Sequence, residues 1–213
     1  MTETIRLKSG EAQLARKALE RCISSGGVAV FPSDGLYGLA CDPLDAAAIA
    51  RIHRLKGRDD GKPSAVMYFS PLAIRELVSG LGPRTKAAVS ALLPGPVTLV
   101  VANPERRYPL ACREDPERLG IRLIGGALAG TMCPVFQTSA NLSGEPAPAR
   151  FIDIPKKIVE GADLAIDGAV LRGLPSTVVD IATIEEDGSW RIIRDGALSP
   201  GDLASKLASV GLG

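Results

Sequence analysis

Lys56 and Arg58 stand two residues apart across Gly57, in the stretch LKGRDDGKPSAVMYF that runs from residue 55 to 69. An arginine offers a planar fork to phosphate or carboxylate, and a lysine offers a compact point charge. On one helix the two would point different ways. A non-helical turn at Gly57 lets both converge on one anionic ligand. The same pair also suits a plain basic helix end, facing the last carbonyls of its own helix. Spacing alone leaves both readings open.

A second stretch, TSANLSG (138–144), gathers Thr138, Ser139, Asn141 and Ser143 within six residues and closes on Gly144. Hydroxyls, an amide and backbone N–H groups at this density can cradle phosphate oxygens. The same residues also make ordinary capping turns. In PSTVVD (175–180), Ser176 and Thr177 either aim into a site or cap the entrance of a strand. Asp59-Asp60 can hold magnesium or stay solvated in a glycine-rich turn. The single histidine, His53, falls mid-helix and reads as a partly exposed helical residue. No G-x-x-x-x-G-K-[ST], G-x-G-x-x-G or G-x-S-x-G occurs, so P-loop, dinucleotide-binding and hydrolase-elbow readings have no motif behind them.

The totals bound these readings. The chain has 213 residues, 46% of them hydrophobic, enough for one domain with a proper core. Its 25 basic and 24 acidic residues leave a formal net charge of +1. A general polyanion binder carries a large positive excess; a focused basic cavity needs only a few residues. No apolar run approaches a membrane span, and the polar start MTETIRLKSGEAQ has no signal-peptide pattern. Cys22, Cys41, Cys112 and Cys133 form no C-x-x-C pair, and one histidine is too few for a usual structural zinc site. Scattered cysteines fit a reducing compartment, so a cytoplasmic location is expected.

The elements that must position these loops follow from periodicity and punctuation. Residues 11–24 place Leu14, Ala18, Leu19, Cys22 and Ile23 on one helical face. GGVAVFP (26–32) reads as a buried strand, and DAAAIARIHRLKG (45–57) as a helix from an Asp N-cap to a glycine stop. SAVMYF (64–69), PVTLVVA (96–102) and GIRLIG (120–125) read as strands. Ser70-Pro71 and Gly82-Pro83 mark helix starts. CPVFQTSANLSG (133–144) reads as a short strand feeding a polar loop, and ARFIDIPKKIVEGAD holds a short helix. DLAID, STVVDIA and WRIIRDG read as strands, the last two joined through the turn EEDG (185–188). Ser199-Pro200 opens a terminal helix over about 199–210. Interleaved strands and helices with late hairpin pairing predict an α/β sheet of mixed direction, as one domain over 1–213. Five loops are polar where their strands are apolar: 32–38, 56–63, 94–98, 138–144 and 175–180. Strand-end loops of this kind are where open α/β sheets bind ligands.

Taken in order, these stretches resemble the YrdC-like family, the threonylcarbamoyl-AMP synthases of tRNA modification. The resemblance runs from about Gly26 to Gly196, through FPSDGLYGLACDP, KGRDDGKP, PGPVTLV, GIRL, TSANLSGEPAP, PSTVVDI and IIRDGA. Its most specific mark is a Lys-x-Arg with a distant Ser-x-Asn, here Lys56-Gly57-Arg58 and Ser139-Ala140-Asn141.

The resemblance implies a twisted, mixed parallel/antiparallel open sheet with helices packed on it around a large basic cavity. It implies ATP, L-threonine and bicarbonate as substrates, with magnesium accompanying ATP and no protein-held metal. Threonylcarbamoyl-AMP and pyrophosphate would be the products. A downstream complex would pass the threonylcarbamoyl group to the tRNA adenosine beside the anticodon, with at most weak tRNA contact by this chain. Lys56, Arg58, Ser139 and Asn141 are implied as catalytic and ATP-binding, joined by Ser176 and Arg194 at the nucleotide. Ser33, Tyr37, Arg58 and Arg122 are implied at the threonine. On a polar turn, Lys56 and Arg58 are expected to be replaceable without loss of core. Asn141, in a loop without apolar periodicity, is expected outside the core as well.

Two stretches depart from the family pattern. The first loop is commonly Pro-Thr-(acidic)-Thr, whereas here it is Pro32-Ser33-Asp34-Gly35. After GIRL the family usually shows a proline and often a histidine, whereas here stand Ile124-Gly125-Gly126. Loss of bulk at Ser33 and Gly35 is expected to relax selectivity for threonine over serine. Two alternatives remain: a paralogue binding RNA or nucleotide without synthase activity, and a carbamoyl-transfer domain like those of hydrogenase-maturation proteins. The first tends to lose both paired motifs, which this chain keeps. The second is usually fused to acylphosphatase-like and zinc-bearing segments.

Overall fold

The structure, a computed structural model, describes residues 2–7, 10–57, 62–168 and 170–213. Ten strands form one sheet in the order β1-β8-β2-β3-β7-β4-β6-β5-β9-β10. In chain order these are β1 (Glu3–Arg6), β2 (Ala29–Pro32), β3 (Tyr37–Cys41), β4 (Ala65–Tyr68), β5 (Val97–Ala102), β6 (Arg118–Leu123), β7 (Val135–Ser139), β8 (Leu164–Asp167), β9 (Thr177–Asp180) and β10 (Arg191–Arg194). Four pairs are parallel (β1–β8, β2–β8, β4–β6, β5–β9) and the other five antiparallel, so the expected mixed direction holds.

The helices divide by face. α1 (Ala12–Ser24) buries Ala15, Ala18, Leu19 and Ile23 with Phe31, Met67, Phe69 and Ile166 on one side of the sheet. α2 (Ala46–Lys56), α3 (Pro71–Ser79), α4 (Pro83–Leu92), α6 (Lys156–Gly161) and α8 (Pro200–Ala208) bury their apolar stripes in the other core, with Leu39, Leu99, Ile121 and Val179. Two short helices complete the chain order, α5 (Pro109–Cys112) and α7 (Ile184–Asp187). Side chains alternate faces along each strand. On β5, Val97, Leu99 and Val101 therefore enter the helix-covered core while Thr98 and Val100 face the other way. α1 packs on β2 and β8, and the same face of β4, β5, β6, β7 and β9 is left as the floor of a cavity.

Several expectations change. Leu14 is 54% exposed, and Ala15 takes its place on the buried face of α1. β3 begins at Tyr37, inside what reads as a polar loop, because Leu39, Ala40 and Cys41 carry the strand into the core. β1 escapes the sequence reading because only Ile5 of its four residues is buried. The turn EEDG belongs to α7, which ends on Gly188 in the left-handed region at φ 76°. The proline-marked starts hold: Ser70 and Ser199 cap α3 and α8 through their hydroxyls, and Pro83 opens α4. Among the described residues no helix is long and apolar enough to cross a membrane.

Candidate functional site

α2 sets the position of the first basic residue. Asp45 accepts from the N–H groups of Ala47 and Ala48 at 2.8 and 3.0 Å, which fixes the start. Gly57 ends the helix in the left-handed region at φ 62°, a conformation that favours glycine. Lys56 is thus the last helical residue, and it is buried, 3% exposed. Its Nζ donates to the carbonyl of Asn141 at 2.8 Å, to Asn141 Oδ1 at 3.2 Å and to the carbonyl of Ser139. Its own carbonyl accepts from Ser143 N–H at 2.9 Å. The expectation of a replaceable turn residue is corrected: Lys56 carries the 139–144 loop. Arg58 and Asp59-Asp60 lie outside the described residues.

Asn141 is corrected in the same way. It is buried, 8% exposed, and its amide nitrogen donates to the carbonyls of Leu142 and Glu145 at 2.8 and 2.7 Å. Ser139 Oγ donates to Asn141 Oδ1. The TSANLSG loop is a hydrogen-bonded knot closed by the lysine.

Across the cavity, Ser176 and Thr98 share a hydrogen bond at 2.8 Å, and Arg194 Nη2 donates to Ser176 O and Oγ at 2.8 and 3.2 Å. Whichever hydroxyl donates within the pair, one proton remains for a ligand. Burial lowers the Arg194 guanidinium from its ordinary value.

Arg122 is the most exacting residue of the set. It is 5% exposed, and its Nε has no hydrogen-bond partner among the described residues. Its other nitrogens reach Gln137 Oε1 at 3.5 Å and the Ser33 carbonyl at 3.4 Å, both long. Burial pushes its pKa down to about 10, against the pull of Asp34 and with some help from Arg194. A desolvated guanidinium with a bare N–H is an uncompensated cost that an anion would relieve.

Ser33 is buried, with its hydroxyl donating to Leu36 O at 2.9 Å. Tyr37 is fully buried; its hydroxyl accepts from Gly168 N–H at 2.8 Å and donates to Asp167 at 3.4 Å, so that group packs the first loop. Gly35 is required by close approach rather than by its own dihedrals. A Cβ there would stand 2.0 Å from the Leu174 carbonyl oxygen, and Gly173 N–H bonds to Gly35 O at 2.9 Å. The bulk missing from the first loop is replaced by backbone of the 173–175 segment, contrary to a simple loss of wall.

These groups line one cavity of about 650 Å³. It brings together Ser33, Tyr37, Lys56 and Arg122 with Ser139, Asn141, Ser176 and Arg194, from loops up to 161 residues apart in number (194 − 33). Sequence reasoning missed Thr98, Gln137, Asp115, Arg118 and Gly120, which share the floor. The available signal was strand alternation: Arg118, Gly120 and Arg122 are spaced by two on β6. His53 does not line the cavity; Arg113 donates to its Nδ1 at 2.8 Å and Phe136 meets its ring edge.

A model of the Sua5/YciO/YrdC family, described as telomere recombination, matches residues 21–196. The chain belongs to this family. Threonylcarbamoyl-AMP synthase from Thiobacillus denitrificans is 33% identical over 175 residues, covering 79% of this chain and 92% of that protein. Its namesake from Methylobacillus flagellatus is 31% identical, with 78% and 95% covered. Among solved structures, P. abyssi Sua5 complexed with L-threonine superposes with a TM-score of 0.79 at 24% identity, over 97% of this chain and 60% of that one. E. coli YciO gives 0.76 at 24% identity, over 92% and 96%. Both likenesses establish the Sua5/YciO/YrdC fold.

Proposed function

We propose that this protein is a threonylcarbamoyl-AMP synthase, converting ATP, L-threonine and bicarbonate to threonylcarbamoyl-AMP and pyrophosphate. The observation that carries the reading is Arg122, a buried guanidinium with a bare N–H beside the Ser33 carbonyl, on the floor of a cavity large enough for two substrates. An α-amino acid brings a carboxylate for the first and an ammonium for the second. Relatives named for this activity, and a fold neighbour complexed with L-threonine, support the same reading.

The chemistry asks little of the protein in covalent terms. The threonine amine and bicarbonate form a carbamate with loss of water. A carbamate oxygen then attacks the α-phosphorus of ATP, and the bond to the β-phosphate breaks to release pyrophosphate. Substrate supplies the nucleophile, so the lack of a histidine in the cavity is no obstacle. The protein aligns the reactants and stabilises spreading negative charge with Arg122, Arg194, N–H groups of the 139–144 loop and, by resemblance, Arg58. Lys56 acts mainly by holding that loop.

Magnesium enters this reading with the triphosphate. Phosphate oxygens and water would supply its ligands, and Asp59-Asp60 lie outside the described residues. Transfer of the product to tRNA by a downstream complex, and a cytoplasmic location, belong to the same proposal. Near-balanced charge gives no support to tight tRNA binding by this chain.

The deciding experiment measures ATP consumption with and without threonine and bicarbonate, and identifies the nucleotide product by mass. Consumption dependent on both, with a threonylcarbamoyl-AMP mass, is expected. Consumption indifferent to either, or binding of nucleotide without turnover, would favour the non-synthase paralogue.

A further inference from the structure

Gln137 stands among small residues. It lies on β7 with Ala40 of β3 and Ala65 of β4 as its register partners on either side. Directly paired residues share a face of the sheet. Gly120 follows on β6, where an added Cβ would meet Ala65 Cα at 3.4 Å and its Cβ at 3.6 Å. With two methyls and a glycine beside it, the amide of Gln137 rises alone from this row of the cavity floor. It reaches Arg122 on one side, and Ser139 lies two residues further along the same strand.

The orientation of the amide follows from its neighbour. A guanidinium can only donate, so the contact from Arg122 Nη1 at 3.5 Å assigns Oε1 to that side. Nε2 is then turned toward Gly38, where an added Cβ would stand 3.0 Å from it. Glycine at 38 leaves the amide its place. Nε2 makes no hydrogen bond among the described residues and is not buried, so its two N–H groups open on the cavity. They stand beside the bare Nε of Arg122. An amide adds donors there without a second positive charge, and an oxygen polarised by a guanidinium makes its N–H groups stronger donors.

The proposed reaction has one component that no side chain described so far meets. Arg122 and the Ser33 carbonyl suit an amino acid, while Ser176, Arg194 and the 139–144 loop suit phosphates. The one-carbon unit must lie between them, because it is bonded first to the amine and then to the α-phosphorus through oxygen. As bicarbonate or carbamate it carries one negative charge on oxygens that accept hydrogen bonds. We propose that the Gln137 amide donates to an oxygen of the bicarbonate, and of the carbamate formed from it, and so holds the one-carbon unit between Arg122 and the 139–144 loop. This rests on the synthase reading above. Gln137 binds and orients; it exchanges no proton and forms no bond. It stands one residue outside the TSANLSG stretch that carried the sequence resemblance.

The test measures turnover against bicarbonate, in buffer stripped of carbon dioxide and at saturating ATP and threonine, for wild type, Gln137→Met and Gln137→Glu. Threonine binding is measured separately by calorimetry without bicarbonate. Gln137→Met removes donors and acceptor at similar length. It is expected to raise the KM for bicarbonate about tenfold or more, the loss of a hydrogen bond to a charged oxygen. Threonine affinity should stay within about threefold, since the contact with Arg122 is long. Gln137→Glu keeps an acceptor for Arg122 but has no donor and adds a negative charge, so its KM for bicarbonate should rise at least as far. A wild-type KM in Gln137→Glu would make the residue a partner of Arg122 alone and overturn the proposal. An unchanged KM in Gln137→Met, or an equal loss of threonine affinity there, would overturn it too. Wild-type turnover that ignores bicarbonate overturns the synthase reading itself, a failure distinct from any in the variants.

Discussion

Lys56 and Asn141 lie 85 residues apart and are bonded twice, from one ammonium to both the backbone carbonyl and the side-chain oxygen of the asparagine. A helix end and the loop that follows β7 are thereby made one unit. Lys56→Met and Asn141→Ala should each lower stability by about 1–3 kcal/mol, since each strands buried partners. The double variant should cost clearly less than the sum, because both remove the same network. Thermal unfolding of the three variants checks this; strict additivity would mean that the bonds contribute little.

Arg122 should trade stability against binding. Its guanidinium is buried with two long contacts and one bare N–H. Replacing a poorly compensated buried charge with an apolar side chain of similar length is often neutral or stabilising by about 1–4 kcal/mol. Arg122→Met is expected to melt no lower than wild type and to bind no L-threonine by calorimetry. A lower melting temperature with threonine binding retained would remove Arg122 from the site.

Restoring the family's bulk to the first loop should fail. Any Cβ at position 35 meets the Leu174 carbonyl oxygen at 2.0 Å, a backbone atom that cannot step aside as a flexible side chain does. Gly35→Ala and Gly35→Thr are expected to lose about 1–3 kcal/mol, with no gain in selectivity for threonine over serine. Ser33→Thr keeps the hydroxyl that donates to Leu36 O and serves as the control. A Gly35→Thr protein of wild-type stability and sharper selectivity would show that the 173–175 segment does not fill that space.

Asp180 gives a pH signature. Burial alone would raise its carboxyl, but Arg118, the Ala182 N–H and Arg191 outweigh it and hold the group below its ordinary value of 3.8. With the folded value depressed, the stabilisation is complete above 3.8 and fades as pH falls through the folded value. The stability gap between wild type and Asp180→Asn, from urea unfolding, should therefore be constant near neutrality and narrow in acid below 3.8. A gap that stays the same in acid would mean that the ion pairs add nothing.

What was legible in the sequence divides by range. Local signals located α2 to the residue, because Asp45 and Gly57 act on their own neighbours. All eight expected site residues that the structure describes line one cavity, with Arg58 outside the described residues; the polar loops were legible from their own chemistry, whereas Ser33, Tyr37, Arg122 and Arg194 came from the family resemblance. Burial was not legible. Nothing near Lys56 says that an ammonium will find two carbonyls 83 and 85 residues away, and nothing near Gly35 announces Leu174. The Arg118–Asp180 cluster escaped because it exists only across β6, β5, β9 and β10, where register rather than motif sets the neighbours.

The strand order has a consequence for synthesis. Val97 to Val100 pair with Thr177 to Asp180, and β1 pairs with β8 some 160 residues later. A chain emerging from its N-terminus holds Lys56, Arg122 and Asn141 well before Ser176, Val178 or Arg194 exists. Until then β5 shows an open edge, and that is when the nascent protein is most exposed to wrong pairing with other chains. Contacts of such long separation also make folding slow. On the proposed reading, a nucleotide held at Ser176 and Arg194 would help only after the last strands have docked, so it would stabilise the finished protein without guiding its assembly.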